Sequence, residues 1–154
     1  MSDHHADDAA RPPLDLSLLG DEHVHRYRET GGEVGYLWNG VPTLLLTATG
    51  RRTGLERTAP LIFGRDGDRY LVVASMGGSP RHPAWYLNLT ARPEARIQVR
   101  DRVLAVTAHT ASPEEKPGLW ATMAAVWPSY DTYQQRTTRD IPVVVLTPTE
   151  AAGP

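Results

Sequence analysis

A short basic turn closed by a glycine at each end, Gly50-Arg51-Arg52-Thr53-Gly54, lies between two runs that suit β-strands. Upstream, Val41-Pro42-Thr43-Leu44-Leu45-Leu46-Thr47 has the apolar density and the threonines of a buried strand, and Leu55 to Phe63 reads as its return. The turn leaves room only for a reversal, so the first long-range contact expected of the chain is antiparallel. Arg65-Asp66-Gly67-Asp68 is a hairpin signal before a strand from Arg69 to Ala74, which extends the expectation to an antiparallel meander. Two more strands are expected at 95–100 and 102–110, joined at Arg100-Asp101-Arg102, and a last one at Val143 to Leu146.

Helices fill the gaps. Asp21 caps one that Gly31-Gly32 stops, and Pro83 suits the first turn of another from His82 to Leu89. Ser112-Pro113-Glu114-Glu115 opens a third, to Val126, whose first turns Pro117 is expected to disturb. A short helical piece spans Ser129 to Arg136. Short antiparallel strands with a few helices define a mainly β chain of the α+β class, a small β-barrel under helical covers.

Composition narrows the chemistry. The 154 residues include no cysteine, which excludes disulfides, thiolate nucleophiles and cysteine-bound metal, and suggests a reducing, cytoplasmic setting. A net charge of -2 argues against a nucleic-acid partner read by a broad basic surface. Residues 1–13 have no apolar run long enough for a signal peptide, and no stretch resembles a membrane span. His4-His5 reads as part of a flexible tail, and His23 and His25, two apart on a helix, make a poor chelating pair.

The residues suited to chemistry cluster between Thr47 and Leu89. Arg51, Arg52 and Arg57 supply guanidinium groups, while Thr53, Thr58 and the amides around Gly50 and Gly54 complete a nest for phosphate or carboxylate. Their alternative is an ordinary solvated turn. The second glycine turn, Ala74-Ser75-Met76-Gly77-Gly78, lets backbone come close to something flat. Trp85, Tyr86 and Asn88 spread around a helix, so they cannot all face one ligand. Tyr130 and Tyr133 share a face, as core packing or as the wall of a pocket. No phosphate loop of the nucleotide-binding types occurs, and no serine has a nucleophile-elbow setting.

These segments, with Arg57-Thr58-Ala59-Pro60-Leu61, His82-Pro83-Ala84-Trp85-Tyr86-Leu87-Asn88-Leu89, Trp127-Pro128-Ser129-Tyr130 and Ile141-Pro142-Val143-Val144, resemble the deazaflavin-dependent nitroreductase family of coenzyme F420-dependent oxidoreductases. The likeness covers residues 21–148. It implies a split β-barrel of the FMN-binding-like type at 20–148, between a disordered arm at 1–19 and a tail at 149–154. By that likeness Arg51, Arg52, Thr53, Gly54 and Arg57 meet the cofactor's phosphate and glutamate tail. Thr58, Ala59, Pro60, Ala74, Ser75, Met76, Gly77, Gly78, Trp85, Tyr86, Leu87, Asn88 and Leu89 then lie along the deazaflavin ring and ribityl chain. Relatives often carry lysine or another polar residue where Met76 stands.

The resemblance implies reduced F420 as hydride donor, and the expected reaction is hydride transfer to a small planar acceptor, a quinone, activated alkene or nitroaromatic; the aromatic residues suggest Tyr130 or Tyr133 to orient it or donate a proton. No metal is expected. A non-catalytic F420 carrier and an FMN- or haem-binding split barrel remain as alternatives. A homodimer and weak peripheral contact with membranes are compatible with the same residues.

Overall fold

The computed structural model describes residues 20–149. The arm expected at 1–19, with His4 and His5, and the tail beyond Thr149 lie outside the described residues. Helix α1 (Gly20–Thr30) begins with Asp21 and Glu22 in its first turn and carries Arg28 in its last, charges that complement the helix dipole. Its end is enforced by packing as well as by backbone preference. Gly32, at φ 87, takes the Tyr27 carbonyl at 2.9 Å, and any Cβ there would come within 2.6 Å of Arg100 Cα.

Strands β1 (Leu37–Trp38), β2 (Val41–Thr49), β3 (Glu56–Ile62), β4 (Gly64–Asp66), β5 (Arg69–Val73), β6 (Glu94–Val99), β7 (Arg102–Thr110) and β8 (Val143–Pro148) form one sheet. Its order is β1-β2-β6-β7-β8-β5-β4, with β3 on the other side of β2. The meander expected from the sequence is therefore corrected. Hairpins do form where tight turns dictate them, at β2–β3, β4–β5 and β6–β7, but β5 takes β8 as its second partner and β2 takes β6. Strand β3, which pairs with β2, runs through Phe63 into β4 at the far end of the order, so the chain links the two sides of a sheet that curls into a half-barrel. Among the described residues β2 is the only strand paired with β3, which leaves one edge of β3 open.

Two apolar layers explain the strand sequences. Leu44, Leu46, Tyr70, Val72, Ile97, Val106, Val144 and Leu146 fill the inside of the curl. The alternate residues Leu71, Val73, Val143 and Val145 face outward, where helix α3 (Lys116–Val126) covers them with Leu119 and Met123 and helix α4 (Ser129–Gln135) with Tyr130. β8 reads as an unbroken apolar run because both of its faces are covered. Tyr27 ties α1 to the sheet: its fully buried hydroxyl donates to the Thr43 carbonyl at 2.9 Å and receives the Arg100 N–H at 2.8 Å.

Two helix starts differ from expectation. Ser112 and Glu115 bond reciprocally, Glu115 N–H to Ser112 Oγ at 3.2 Å and Ser112 N–H to Glu115 Oε1 at 3.0 Å, closing a turn ahead of α3. The regular helix then begins at Lys116, so Pro117 falls in its first turn and interrupts nothing. Helix α2 spans Ala84–Ala91, with Pro83 extended just before it rather than inside its first turn.

Candidate active site

The two strands flanking the arginine turn hold it in register from Thr43 opposite Ile62 to Thr49 opposite Glu56. Inside the turn the Gly50 N–H reaches the Leu55 carbonyl at 2.7 Å and the Gly54 N–H reaches the Gly50 carbonyl at 2.9 Å. Asn88, only 4% exposed, brings α2 to this turn: its Oδ1 accepts from the Arg51 N–H at 3.1 Å and from Arg51 Nη1 at 3.2 Å. The result is a cleft of about 390 Å³ lined by Arg51, Arg52, Thr53, Arg57, Thr58 and Asn88. Among the described residues no carboxylate pairs with Arg51, Arg52 or Arg57. The nearby Glu56 is occupied, since Arg96 grips it through two hydrogen bonds of 2.7 and 3.1 Å and holds its carboxyl below the usual range. From α1, Arg28 adds another guanidinium, donating at 2.9 Å to Thr58 Oγ1, which also bonds Thr47 Oγ1 at 2.8 Å. Cations in this number, on hydroxyl and amide scaffolding, suit a multiply charged anion.

A second cavity, of about 510 Å³, adjoins the cleft. The open-edged β3 supplies Ala59, Pro60, Leu61 and Ile62 to one wall, and the second glycine turn supplies Ser75, Met76 and Gly77. Aromatic rings close it: Trp38 and Trp127, with centroids 5.7 Å apart, Trp85, and the edge-to-face pair Tyr130 and Tyr133 at 6.0 Å. Burial pushes the Tyr130 phenol well above its ordinary pKa, with Tyr133 adding to the shift, so at neutral pH it is a hydrogen-bond donor. Tyr133 accepts from Trp127 Nε1 at 3.3 Å, which leaves its own proton to be given elsewhere. Ala59 and Trp85 line both cavities, so an aromatic, mainly apolar cavity and a cationic cleft lie side by side.

Not every residue singled out from the sequence lines these two cavities. Gly54, Ala74, Gly78 and Leu87 line neither cavity. Tyr86 and Leu89 line a separate cleft of about 240 Å³, where the Tyr86 hydroxyl bonds Thr110 Oγ1 at 2.8 Å. The absence of a side chain at Gly78 serves the protein's own packing: at φ 85, a Cβ there would sit 2.6 Å from the Tyr133 carbonyl oxygen. Sequence reasoning missed Trp38 and His23 as lining residues, and Arg28 and Arg139 as supports. His23 is buried, with Nε2 donating to the Gly35 carbonyl at 2.8 Å, and among the described residues no cluster suited to a metal ion occurs. No helix of the described residues is long and apolar enough to cross a membrane.

A curled antiparallel sheet under helical covers, with an aromatic cavity and a cationic cleft side by side, defines a protein of the split-barrel class. Residues 19–148 match the model of the F420H2-dependent quinone reductase family, and the chain belongs to that family. It is 46% identical over 130 residues to the F420H2-dependent quinone reductase of Mycobacterium tuberculosis strain H37Rv, a match covering 79% of this chain and 84% of the relative. A solved structure described as a domain-swapped dimer is 35% identical with a TM-score of 0.68, covering 81% of this chain and 92% of that one. A second, an F420-H2 dependent reductase, is 39% identical with a TM-score of 0.64, covering 68% and 93%. The heme storage protein HutZ from Vibrio cholerae, at 16% identity and a TM-score of 0.53 over 84% and 90% of the two chains, shares the fold alone. The protein is thus an oxidoreductase of the F420-dependent kind, as the sequence resemblance implied.

Proposed function

We propose that this chain reduces a quinone with F420H2, the cationic cleft holding the cofactor's charged tail and the aromatic cavity holding ring and acceptor together. The observation that carries this is that the two cavities share Ala59 and Trp85 in their linings. Reduced F420, when bound, supplies the hydride. Arg51, Arg52 and Arg57 would grip phosphate and carboxylates, while Ala59, Pro60, Ser75, Met76 and Gly77 present backbone and small or flexible side chains to a flat ring. Trp38, Trp127, Tyr130 and Tyr133 wall the remaining space, excluding water and stacking on a planar acceptor. Quinone reduction takes up a proton besides the hydride, and Tyr133, whose oxygen already accepts from Trp127, is the phenol placed to give it. A turnover assay with F420H2 and a soluble naphthoquinone tests this: Tyr133→Phe is expected to lower kcat by about tenfold with cofactor affinity unchanged, the scale of one lost proton donor. Unchanged kcat would remove the tyrosine from the mechanism.

Leu55, 60% exposed, ends the turn that carries Arg51 and Arg52, and Met76, 55% exposed, stands on the second glycine turn, which lines the aromatic cavity. This supports a cytoplasmic protein that touches an anionic lipid surface weakly, where lipophilic quinones reside, and vesicle co-sedimentation with and without Leu55→Ser checks it. The domain-swapped relative supports self-association, which sedimentation velocity of the full chain would report.

A further inference from the structure

Arg139 lies in the loop between α4 and β8, outside both cavities, yet its half-buried guanidinium is spent on the turn that walls the aromatic cavity. Nη2 donates to the Ser75 carbonyl at 2.7 Å and to the Ala74 carbonyl at 3.2 Å, and Nε to the Ser79 carbonyl at 2.7 Å. Nη1 donates to His82 Nδ1 at 3.0 Å. All four acceptors are neutral, and among the described residues no carboxylate pairs with Arg139. The residue is itself fixed by α4, whose Gln134 Nε2 donates to the Arg139 carbonyl at 2.8 Å while its Oε1 accepts the Ile141 N–H at 2.9 Å.

The held turn is strained. Met76 sits at φ 46 and is followed by Gly77 at 65 and Gly78 at 85, and a left-handed side-chain-bearing residue persists only where its surroundings over-determine it. A planar trans peptide sends its N–H opposite to its C=O. Carbonyls drawn toward Arg139 at Ala74 and Ser75 therefore turn the N–H groups of Ser75 and Met76 the other way, and both residues line the cavity. The same α4 that anchors Arg139 carries Tyr130 and Tyr133.

We propose that Arg139 is a positioning residue that clamps the 74–79 turn to α4, fixing which backbone groups face the aromatic cavity and how far that wall stands from the tyrosines. The proposal rests on the quinone-reductase function proposed above. It predicts a loss in turnover rather than in cofactor retention, because Arg51, Arg52 and Arg57 are untouched.

The test compares Arg139→Gln and Arg139→Lys in the full chain by hydrogen exchange, by affinity for oxidised F420, and by kcat and KM with F420H2 and a soluble naphthoquinone. In Arg139→Gln, exchange at 74–82 should rise about tenfold while β2, β6 and β7 hold their protection. kcat should fall at least about tenfold and the F420 Kd change by less than about threefold, the pattern of misplaced reacting groups. Arg139→Lys, able to make only some of the bonds, should fall between. Wild-type kcat in either folded variant, or exchange raised evenly across the sheet, overturns the proposal. If Arg139→Gln does not fold, Arg139→Lys alone decides: reduced kcat at unchanged melting temperature supports the clamp, and wild-type kcat refutes it. Should the wild type neither bind F420 nor reduce the quinone, the functional reading fails, while local exchange at 74–82 still decides whether Arg139 holds the turn.

Discussion

The two glycine turns that border the two cavities are built in opposite ways. The arginine turn is made by its own hairpin: Gly50 and Gly54 close it with backbone bonds, the strands on either side set its register, and one buried side chain, Asn88, reaches in from elsewhere. The Met76 turn has short local bonds, Gly78 N–H to the Ser75 carbonyl at 2.9 Å and Ser79 N–H to the Met76 carbonyl at 3.1 Å, but no hairpin on either side to set its register. Helix α4 presses against Gly78, Arg136 Nη1 reaches the Gly77 carbonyl at 3.4 Å, and Arg139 takes three more carbonyls. On the proposed reading, a locally closed turn suits gripping a flexible anionic tail, whereas the second turn ties one wall of the aromatic cavity to the helix that bears Tyr130 and Tyr133.

The largest contrast is expected from charge. Replacing Arg51 and Arg57 together by alanine should weaken F420 binding by about 3 kcal/mol or more, from two charge-assisted contacts at roughly 1.5–3 kcal/mol each, and leave the melting temperature nearly unchanged. Fluorescence titration of the cofactor checks it. Gly78→Ala, which drives a Cβ into the Tyr133 carbonyl from a left-handed backbone, should destabilise the fold by about 2–4 kcal/mol. Gly54→Ala, also left-handed at φ 75 but with nothing within 4 Å, should lose only about 1 kcal/mol. Urea unfolding of both would show whether one turn is packed and the other open. Asn88→Ala should weaken cofactor binding by about 1 kcal/mol through a loosened Arg51 turn, with no effect on exchange at 74–82.

The smallest effect is one of pH. Burial, then the Arg139 charge, lowers the pKa of His82 below 6.5, and the Tyr86 ring packs against it at 4.9 Å. The folded state therefore favours neutral His82: its contribution is fully present above pH 6.5 and is lost as pH falls through the lowered value, when Nδ1 takes a proton and can no longer accept from Arg139. Protection at 74–82, taken relative to the intrinsic exchange rate at each pH, should fall on acidification below 6.5, that of the arginine turn should not change, and His82→Gln should remove the difference.

What the sequence made legible follows the same division. Turn residues announce themselves within five positions, so the arginine turn and the β2–β3 hairpin could be read directly, and the two strands joined at Arg100-Asp101-Arg102 form the expected hairpin. Alternation assigns faces but not partners, and for that reason the pairing of β5 with β8 escaped notice and the sheet read as a meander. Arg139 lies 60 residues from the Ser79 carbonyl it grips, in a loop with no motif. Trp38 reaches the cavity only because the two-residue β1 pairs with the start of β2 and brings it to Trp127. Tyr86 stands beside Trp85 in the chain but on another side of α2, as helical spacing had warned for Trp85, Tyr86 and Asn88.

In the proposed complex the aromatic cavity holds a flat ring and the adjoining cationic cleft holds its anionic tail. The most direct test titrates wild type and Arg51→Ala with oxidised F420 and with the same deazaflavin lacking the phosphate and glutamates. Arg51→Ala should weaken F420 by about tenfold, the worth of one charged hydrogen bond, and leave the truncated ring's affinity as it was. If the substitution weakened both ligands equally, or neither, the assignment of ring to cavity and tail to cleft would be wrong.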